Sequence, residues 1–300
     1  MTRPLDQALA VVRDVAASRR LESETLALSR CHGRVVQQDV ASIHIAGPAG
    51  NADPAIRYGW VMTPARVALA ASLGIPALSV ARRPTVAVFT TGNDLIEPGM
   101  PLAAGQAYDG SRELLMGLLR AEGLEPTAWP RLPDDPRQIE IALRDAGCAF
   151  DLVVICESPT ASAGAFVAKV LGQFGTVHLN DMPTSFGAPV LFGSLDQARV
   201  LGLPDDPLAL TAAWLTLGRA LVDGLQGRIE PRLALRARLT RPVDLAQLQG
   251  DFVPARIEVE GDGLRVDPRM SGLADSHGLI LLQGDSQTFP ATAIVDVIPL

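Results

Sequence analysis

Two carboxylate-bearing turns lie in the segment 82–123, RRPTVAVFTTGNDLIEPGMPLAAGQAYDGSRELLMGLLRAEG. The apolar run 86–89 enters the turn Thr90-Thr91-Gly92-Asn93, and Asp94 follows directly. A second turn, Tyr108-Asp109-Gly110-Ser111, opens a helix whose leucines fall at 114, 115, 118 and 119. A strand, loop and helix in this order gather carboxylates, small residues and backbone N–H groups where open α/β sheets bind ligands. Asp109 has two readings: a cation or substrate ligand, or an Asx-turn that caps the helix. Thr91 and Gly92 are a binding turn or the turn that any sheet end needs. Further on, Glu157, Asp205 and Asp206 form a cation site or a solvated loop face. Cys156 ends an apolar run and reads as an inert core thiol. His32, His44, His178 and His277 match no metal-ligand spacing, and Trp60, Trp129 and Trp214 read as packing residues.

The elements that must position these residues alternate. Strand candidates cover 85–90, 152–156, 176–179, 190–192 and 198–202, and helix candidates cover 111–122, 136–145, 163–174 and 207–225. Such alternation predicts a doubly wound, mostly parallel α/β sheet over 84–220. The helix from Pro207 carries Leu208, Leu210, Ala213, Trp214, Leu217, Leu221 and Val222, enough apolar surface to face the sheet and a partner chain. Before the sheet, a helix is expected over 4–20, a strand-like or short helical segment over 26–40, an Ala/Gly/Pro-rich loop over 41–59 and a short helix over 64–73. After it, short runs bounded by Gly, Pro and Asp, with a Gly-Asp-Gly hairpin turn at 261–263, predict a small β domain. Three parts follow: an N-terminal helix and linker segment (1–81), the α/β domain (82–226) and the C-terminal β domain (227–300).

Composition limits the function classes. The 300 residues can bury more than one core. A net charge of −7 argues against nucleic acid or an anionic membrane as the main partner. Cys31, Cys148 and Cys156 are too scattered for a disulfide framework, so a cytoplasmic protein is expected. The N-terminus lacks the apolar core of a signal peptide, and no stretch is expected to approach the roughly 20 apolar residues of a membrane span. Of the 26 lysines and arginines, only Lys169 is lysine. Neutral drift in such a chain turns lysine into arginine more readily than into Ser or Ala.

Six segments, in order, resemble the molybdopterin molybdenumtransferases (bacterial MoeA and the gephyrin E domain). They are GRVVQQDV at 33–40, 82–111, DLVVICES at 151–158, FGAPVLFG at 186–193, GLPDDP at 202–207 and MSGLADSHGLILL at 270–282. Segment 82–111 resembles the family's central motif, which carries Thr-Gly-Asp-Glu-Leu and Tyr-Asp-Ser/Thr-Asn turns. The next three segments resemble its Ser-Gly-Gly strand end, Pro-Gly-Lys-Pro loop and Gly-Leu-Pro-Gly-Asn-Pro turn. The resemblance implies molybdate insertion into molybdopterin, a dithiolene pterin phosphate carried as an adenylate, with Mg²⁺ as cofactor. It implies catalytic and Mg²⁺-ligating roles for Asp94 and Asp109. Ligand binding falls to Thr91, Gly92, Asn93, Ser111, Glu157, Ser158, Thr160, Gly187, Pro189, Pro204, Asp205 and Asp206. It also implies a homodimer, and a cofactor-pathway protein or molybdoenzyme as partner. The domain that the family inserts after the N-terminal segment is missing, because only an Ala/Gly/Pro loop joins Val40 to Gly59.

The departures have a sign. Asn93 stands where the family has Asp, and Asp94 where it has Glu. Cys156-Glu157-Ser158 replaces Ser-Gly-Gly, and Asp205-Asp206 replaces Gly-Asn. Acidic positions align with Ala163 and Ala165, and two lysines with Ser185 and Ala188; neither lysine became arginine. Each new like-charge contact with a phosphate costs about 1 kcal/mol or more in a partly buried cleft. The expected function is therefore binding of molybdopterin or a related phosphorylated ligand, with weak or no transferase activity and a need for a divalent cation that EDTA removes. Two alternatives remain: an active Mg²⁺-dependent molybdenumtransferase or nucleotide-handling enzyme, and a non-catalytic assembly or partner-binding protein.

Overall fold

α1 (Pro4–Ala17) opens the chain and leads into β1 (Ser23–Ala27), which pairs antiparallel with β2 (Ala77–Ala81). α2 (Pro64–Ser72) lies between those strands in sequence, with Thr63 as its N-cap and Pro64 at its first position. The computed structural model describes residues 4–41, 54–133, 135–157, 163–180, 186–248, 250–261, 263–269, 272–282 and 288–300. Two units divide the chain: Val12–Pro84 with Arg219–Arg232, and Met1–Val11 with Thr85–Gly218 and Leu233–Leu300.

The first unit has its own core of Cys31, Val36, Val40, Ile56, Met62, Ala70, Leu78 and Val80. Its chain doubles back on itself, with antiparallel bridges Val35↔Val61 and Val40↔Ile56. The loop expected over 41–59 is thus closed at its base; its tip, 42–53, lies outside the described residues. The Arg66 guanidinium sits 4.4 Å over the Trp60 ring and forms a bidentate pair with Glu230, at 2.8 and 2.6 Å. Glu230 also accepts the Val61 N–H at 3.1 Å. The Arg66 hydrogen bonds hold the Glu230 carboxyl below its ordinary range.

The second unit holds the main sheet. It begins with β3 (Val86–Thr90), two short strands β4 (Leu95–Ile96) and β5 (Ala107–Tyr108) that pair parallel with each other, and α3 (Gly110–Ala121). β6 (Pro126–Ala128), α4 (Pro136–Ala149), β7 (Leu152–Glu157), α5 (Ala163–Phe174), β8 (Gly175–Leu179), β9 (Leu191–Leu195), β10 (Ala198–Pro204) and α6 (Pro207–Ala213) complete it. Strand order is β6-β3-β7-β10-β9-β8. β6, β3, β7 and β10 run parallel, and β9 runs against both neighbours. Every residue of β3 and β10 is buried, as expected where helices cover both faces. One face packs Ala87, Phe89, Val153 and Ile155 against Ile139, Leu143, Val167 and Leu171 of α4 and α5. At the other end of the strands, Asp151 Oδ2 accepts from the Thr85 amide and hydroxyl, both at 2.8 Å, clasping β3 to β7.

The expected strands and helices over 84–220 are present with shifted ends. β6 was not expected, because Pro-Thr-Ala carries no strand pattern. The expected β domain is a closed barrel. Its chain runs β11 (Leu235–Leu239), β12 (Val243–Asp244), β13 (Phe252–Glu260), β14 (Gly263–Pro268), β15 (Gly278–Leu281), β16 (Thr288–Phe289) and β17 (Ile294–Pro299). The barrel order is β11-β14-β13-β15-β17, and the β13–β14 hairpin turns where Gly-Asp-Gly was read.

The helix Pro207–Gln226 corrects one expectation. It is 20 residues long with a window of mean hydropathy 1.3, enough by length and composition to cross a membrane. Yet 72% of that window is buried inside the protein, as in a core helix. Trp214–Gly218 forms a π turn within it. A Cβ on Gly218 would meet Trp214 Cε3 at 2.3 Å, so only glycine fits beside the indole.

Gly218→Ala is expected to cost about 1–3 kcal/mol through overpacking, read as a lower melting temperature. Glu230→Gln is expected to destabilise at neutral pH. A depressed carboxyl stabilises above its unfolded pKa and loses that contribution as pH falls through the folded value. The gap between wild type and Glu230→Gln, measured by denaturant titration, should therefore close as the pH drops below 4.5, the ordinary glutamate value.

Candidate functional site

The parallel strands β3, β7 and β10 end together, and the candidate residues lie at or just past those ends. β3 continues into Thr91, whose amide donates to the Cys156 carbonyl at 3.0 Å and whose hydroxyl donates to it at 3.3 Å. Gly92 follows at φ +119°, a left-handed conformation that favours glycine. The turn thus leaves Asn93 exposed and Asp94 half-buried.

Asp109, only 5% exposed, joins two elements. Its Oδ2 accepts the Thr90 hydroxyl at 2.8 Å, and its Oδ1 accepts the Arg112 amide at 3.1 Å as the N-cap of α3. The helix-cap reading of Asp109 is the geometry found. One residue into the helix, the Ser111 hydroxyl donates to the Asp205 carbonyl at 2.8 Å, tying α3 to the end of β10. Asp206 caps α6 by accepting the Ala209 amide at 2.9 Å, with Pro207 at the first helical position.

Pro204, the last residue of β10, pairs in register with Glu157, the last of β7. The Glu157 carboxylate folds back over β10: a Cβ on Gly202 would lie 2.7 Å from its Oε1. Burial pushes the Cys156 thiol well up, and the charges of Asp205, Asp109 and Glu157 push it further. Three carboxylates therefore act on one buried strand end. Gly187 and Pro189 lie in the loop before β9, where Phe186 stacks on Phe252 of the barrel at 5.4 Å. Ser158, Thr160 and Ser185 lie outside the described residues.

Asp94 and Asp109 are the expected Mg²⁺ ligands. Both Asp109 oxygens already accept hydrogen bonds. Among the described residues no group of three or more His, Cys, Asp or Glu side chains could hold a metal ion.

A cleft of about 850 Å³ opens beside the Asn93 turn, lined by Asn93, Ile96, Met100, Asp109, Arg112 and Trp129 among others. Asp94 does not line it. Sequence reading missed Arg112 and Arg131, which also line it. It took Trp129 as packing, and Trp129 does pack, 5.3 Å from Phe89 and 5.9 Å from Phe150. The missed signal is the position of Arg112 in the first turn of α3, directly after the Ser111 station.

Residues 87–223 match the family described as "Probable molybdopterin binding domain". The molybdopterin molybdenumtransferase of Haemophilus influenzae is 29% identical over 257 residues, covering 82% of this chain and 64% of the relative. Molybdopterin molybdenumtransferase 2 of Mycobacterium tuberculosis is 29% identical over 245 residues, covering 77% of this chain and 60% of the relative. The chain is similar to these molybdopterin molybdenumtransferases over most of its length. It spans about three fifths of the length of these curated relatives. The fold agrees: a molybdopterin biosynthesis MoeA structure from Pyrococcus horikoshii superposes with a TM-score of 0.76 at 20% identity, covering 100% of this chain and 99% of that one. A molybdenum cofactor biosynthesis protein from Pyrococcus furiosus gives 0.74 at 21% identity and full coverage of both chains. On this MoeA-like frame, Asp109 is a structural link as well as a candidate ligand.

Asp109→Ala should remove the cap and strand the Thr90 hydroxyl, costing about 2 kcal/mol in denaturant unfolding. Asp109→Asn keeps an acceptor for the cap and should cost about half as much. Equal stability of Asp109→Ala and wild type would show that the link carries no load.

Proposed function

We propose that this chain binds molybdopterin or a related phosphorylated ligand at the strand-end cleft and inserts molybdate poorly or not at all. One observation carries the second half. Glu157 ends β7, Asp205 follows its register partner Pro204, and Asp109 bonds Thr90, which pairs with Cys156. A phosphate laid over that end would meet their negative charge. The resemblance puts lysines at positions here held by Ser185 and Ala188, so the sequence lacks the two cations that the resemblance would supply.

The homodimer and the partner from the cofactor pathway rest on the resemblance alone. The helix from Pro207 gives a homodimer no added support: Leu210, Trp214, Leu217 and Leu221 are buried within the chain. Catalytic roles for Asp94 and Asp109, and a Mg²⁺ that they would ligate, are likewise part of the proposal.

The test is a molybdoenzyme reconstitution assay beside a full-length molybdenumtransferase, with molybdopterin binding followed by calorimetry. The chain should bind and fail to reconstitute. Replacing Glu157→Gly, Ala188→Lys and Asp205→Gly together should open the end of β7 as a phosphate seat and raise molybdopterin affinity by about tenfold or more, since each removed repulsion there is worth about 1 kcal/mol. Reconstitution at the rate of the full-length enzyme would contradict the proposal.

A further inference from the structure

The cleft beside the Asn93 turn pairs two arginines with the carboxylates of Asp109 and Glu97, whereas Glu157 and Asp205 do not line it. Arg112 and Arg131 line the cleft of about 850 Å³, together with the Asn93 amide and an apolar wall that includes Ile96, Met100 and Trp129. A neighbouring hollow of about 640 Å³ shares Arg112, Glu97 and Asp109 with it, so Arg112 stands where the two meet.

The Arg112 guanidinium is held but little used. Its Nη2 donates to the Trp129 carbonyl at a long 3.3 Å, and its side chain is only 19% exposed. Its one acidic partner among the described residues is Glu97, with Oε1 3.7 Å from Nη1 and a side chain 78% exposed. An arginine carries five N–H donors in a rigid fork that matches phosphate oxygens two at a time. Asp109 lines the same cleft, but its hydrogen bonds come from the Thr90 hydroxyl and the Arg112 amide, not from the guanidinium. Glu97 is loosely placed and solvated, so a stronger anion displaces it at small cost.

We propose that Arg112 and Arg131 receive the phosphate of the ligand, with Asn93 beside them, and that Glu97 is the internal carboxylate the phosphate displaces. A phosphomonoester on a flat ring suits the cleft better than a bare anion. Two guanidiniums match a dianion, and the apolar wall covers the ring. The ligand would then lie with its charged end toward α3 and the 129–131 loop. It would avoid the acidic ends of β7 and β10. The inference depends on the proposed function only for the identity of the ligand.

The test is isothermal titration of the full chain with adenosine monophosphate and inorganic phosphate as probes, and separately with molybdopterin. Adenosine monophosphate should bind more tightly than phosphate alone. Arg112→Gln and Arg131→Gln should each weaken it by about tenfold, the loss expected for one charge-assisted contact. Arg131 is exposed, so its variant tests the claim even if Arg112→Gln folds poorly. Glu97→Gln should tighten binding by about threefold, because it removes the internal competitor. No adenosine monophosphate binding, or binding indifferent to Arg131→Gln and Glu97→Gln, would overturn the inference. If the probe follows this pattern and molybdopterin does not bind, the inference stands and the proposed ligand falls. If molybdopterin binds and ignores both arginine variants, the proposed function stands and this inference falls.

Discussion

The candidate site depends on one buried carboxylate. Asp109 accepts from the last residue of β3 and from the first turn of α3, so the strand end and the helix start cannot move apart without breaking a buried hydrogen bond. The next link follows from it, since Ser111 is placed to reach the Asp205 carbonyl at the end of β10. These three hydrogen bonds connect β3, α3 and the end of β10. The parallel strands supply the rest: an all-buried β3 and β10 fix where their ends emerge, and the turns there must carry whatever chemistry the sheet offers.

On this frame the charges are distributed unevenly. The ends of β7 and β10 carry Glu157, Asp205 and Asp206, and the glycine at 202 leaves room for the Glu157 carboxylate to fold back over the sheet. The other side of the same turn carries Arg112 and Arg131. A MoeA-like fold thus carries acidic side chains at these strand ends and arginines in the cleft beside the turn. Fold and chemistry separate because the strand cores are set by apolar burial, whereas the loop residues answer only to the ligand.

Much of the frame was legible in the sequence. The runs at 86–89 and 152–156 are apolar on both faces, and 198–202 departs from this only at Arg199, which is how a covered parallel strand reads. Thr63-Pro64, Asp135-Pro136 and Asp206-Pro207 each mark a helix start, and each is capped by the residue before the proline. The edge strand β6 was not legible: three residues carry no period, and their strand character comes from pairing with β3. Barrel closure was not legible either, because β11 pairs in parallel with β14 across residues far apart in sequence. Of the site, Asp109 and the Gly92 turn were readable from local chemistry. Arg112 and Arg131 were not, since they share a cleft only after α3 and the segment following β6 meet beside the turn. The fold-back of Glu157 depends on its register with Pro204, which spacing alone does not reveal.

The most direct test is a crystal structure of the full chain with molybdopterin bound. The account predicts the phosphate beside the guanidiniums of Arg112 and Arg131, with Glu97 turned away and the pterin against Met100 and Trp129. A phosphate seated instead at the end of β7, next to Glu157 and Asp205, would contradict it.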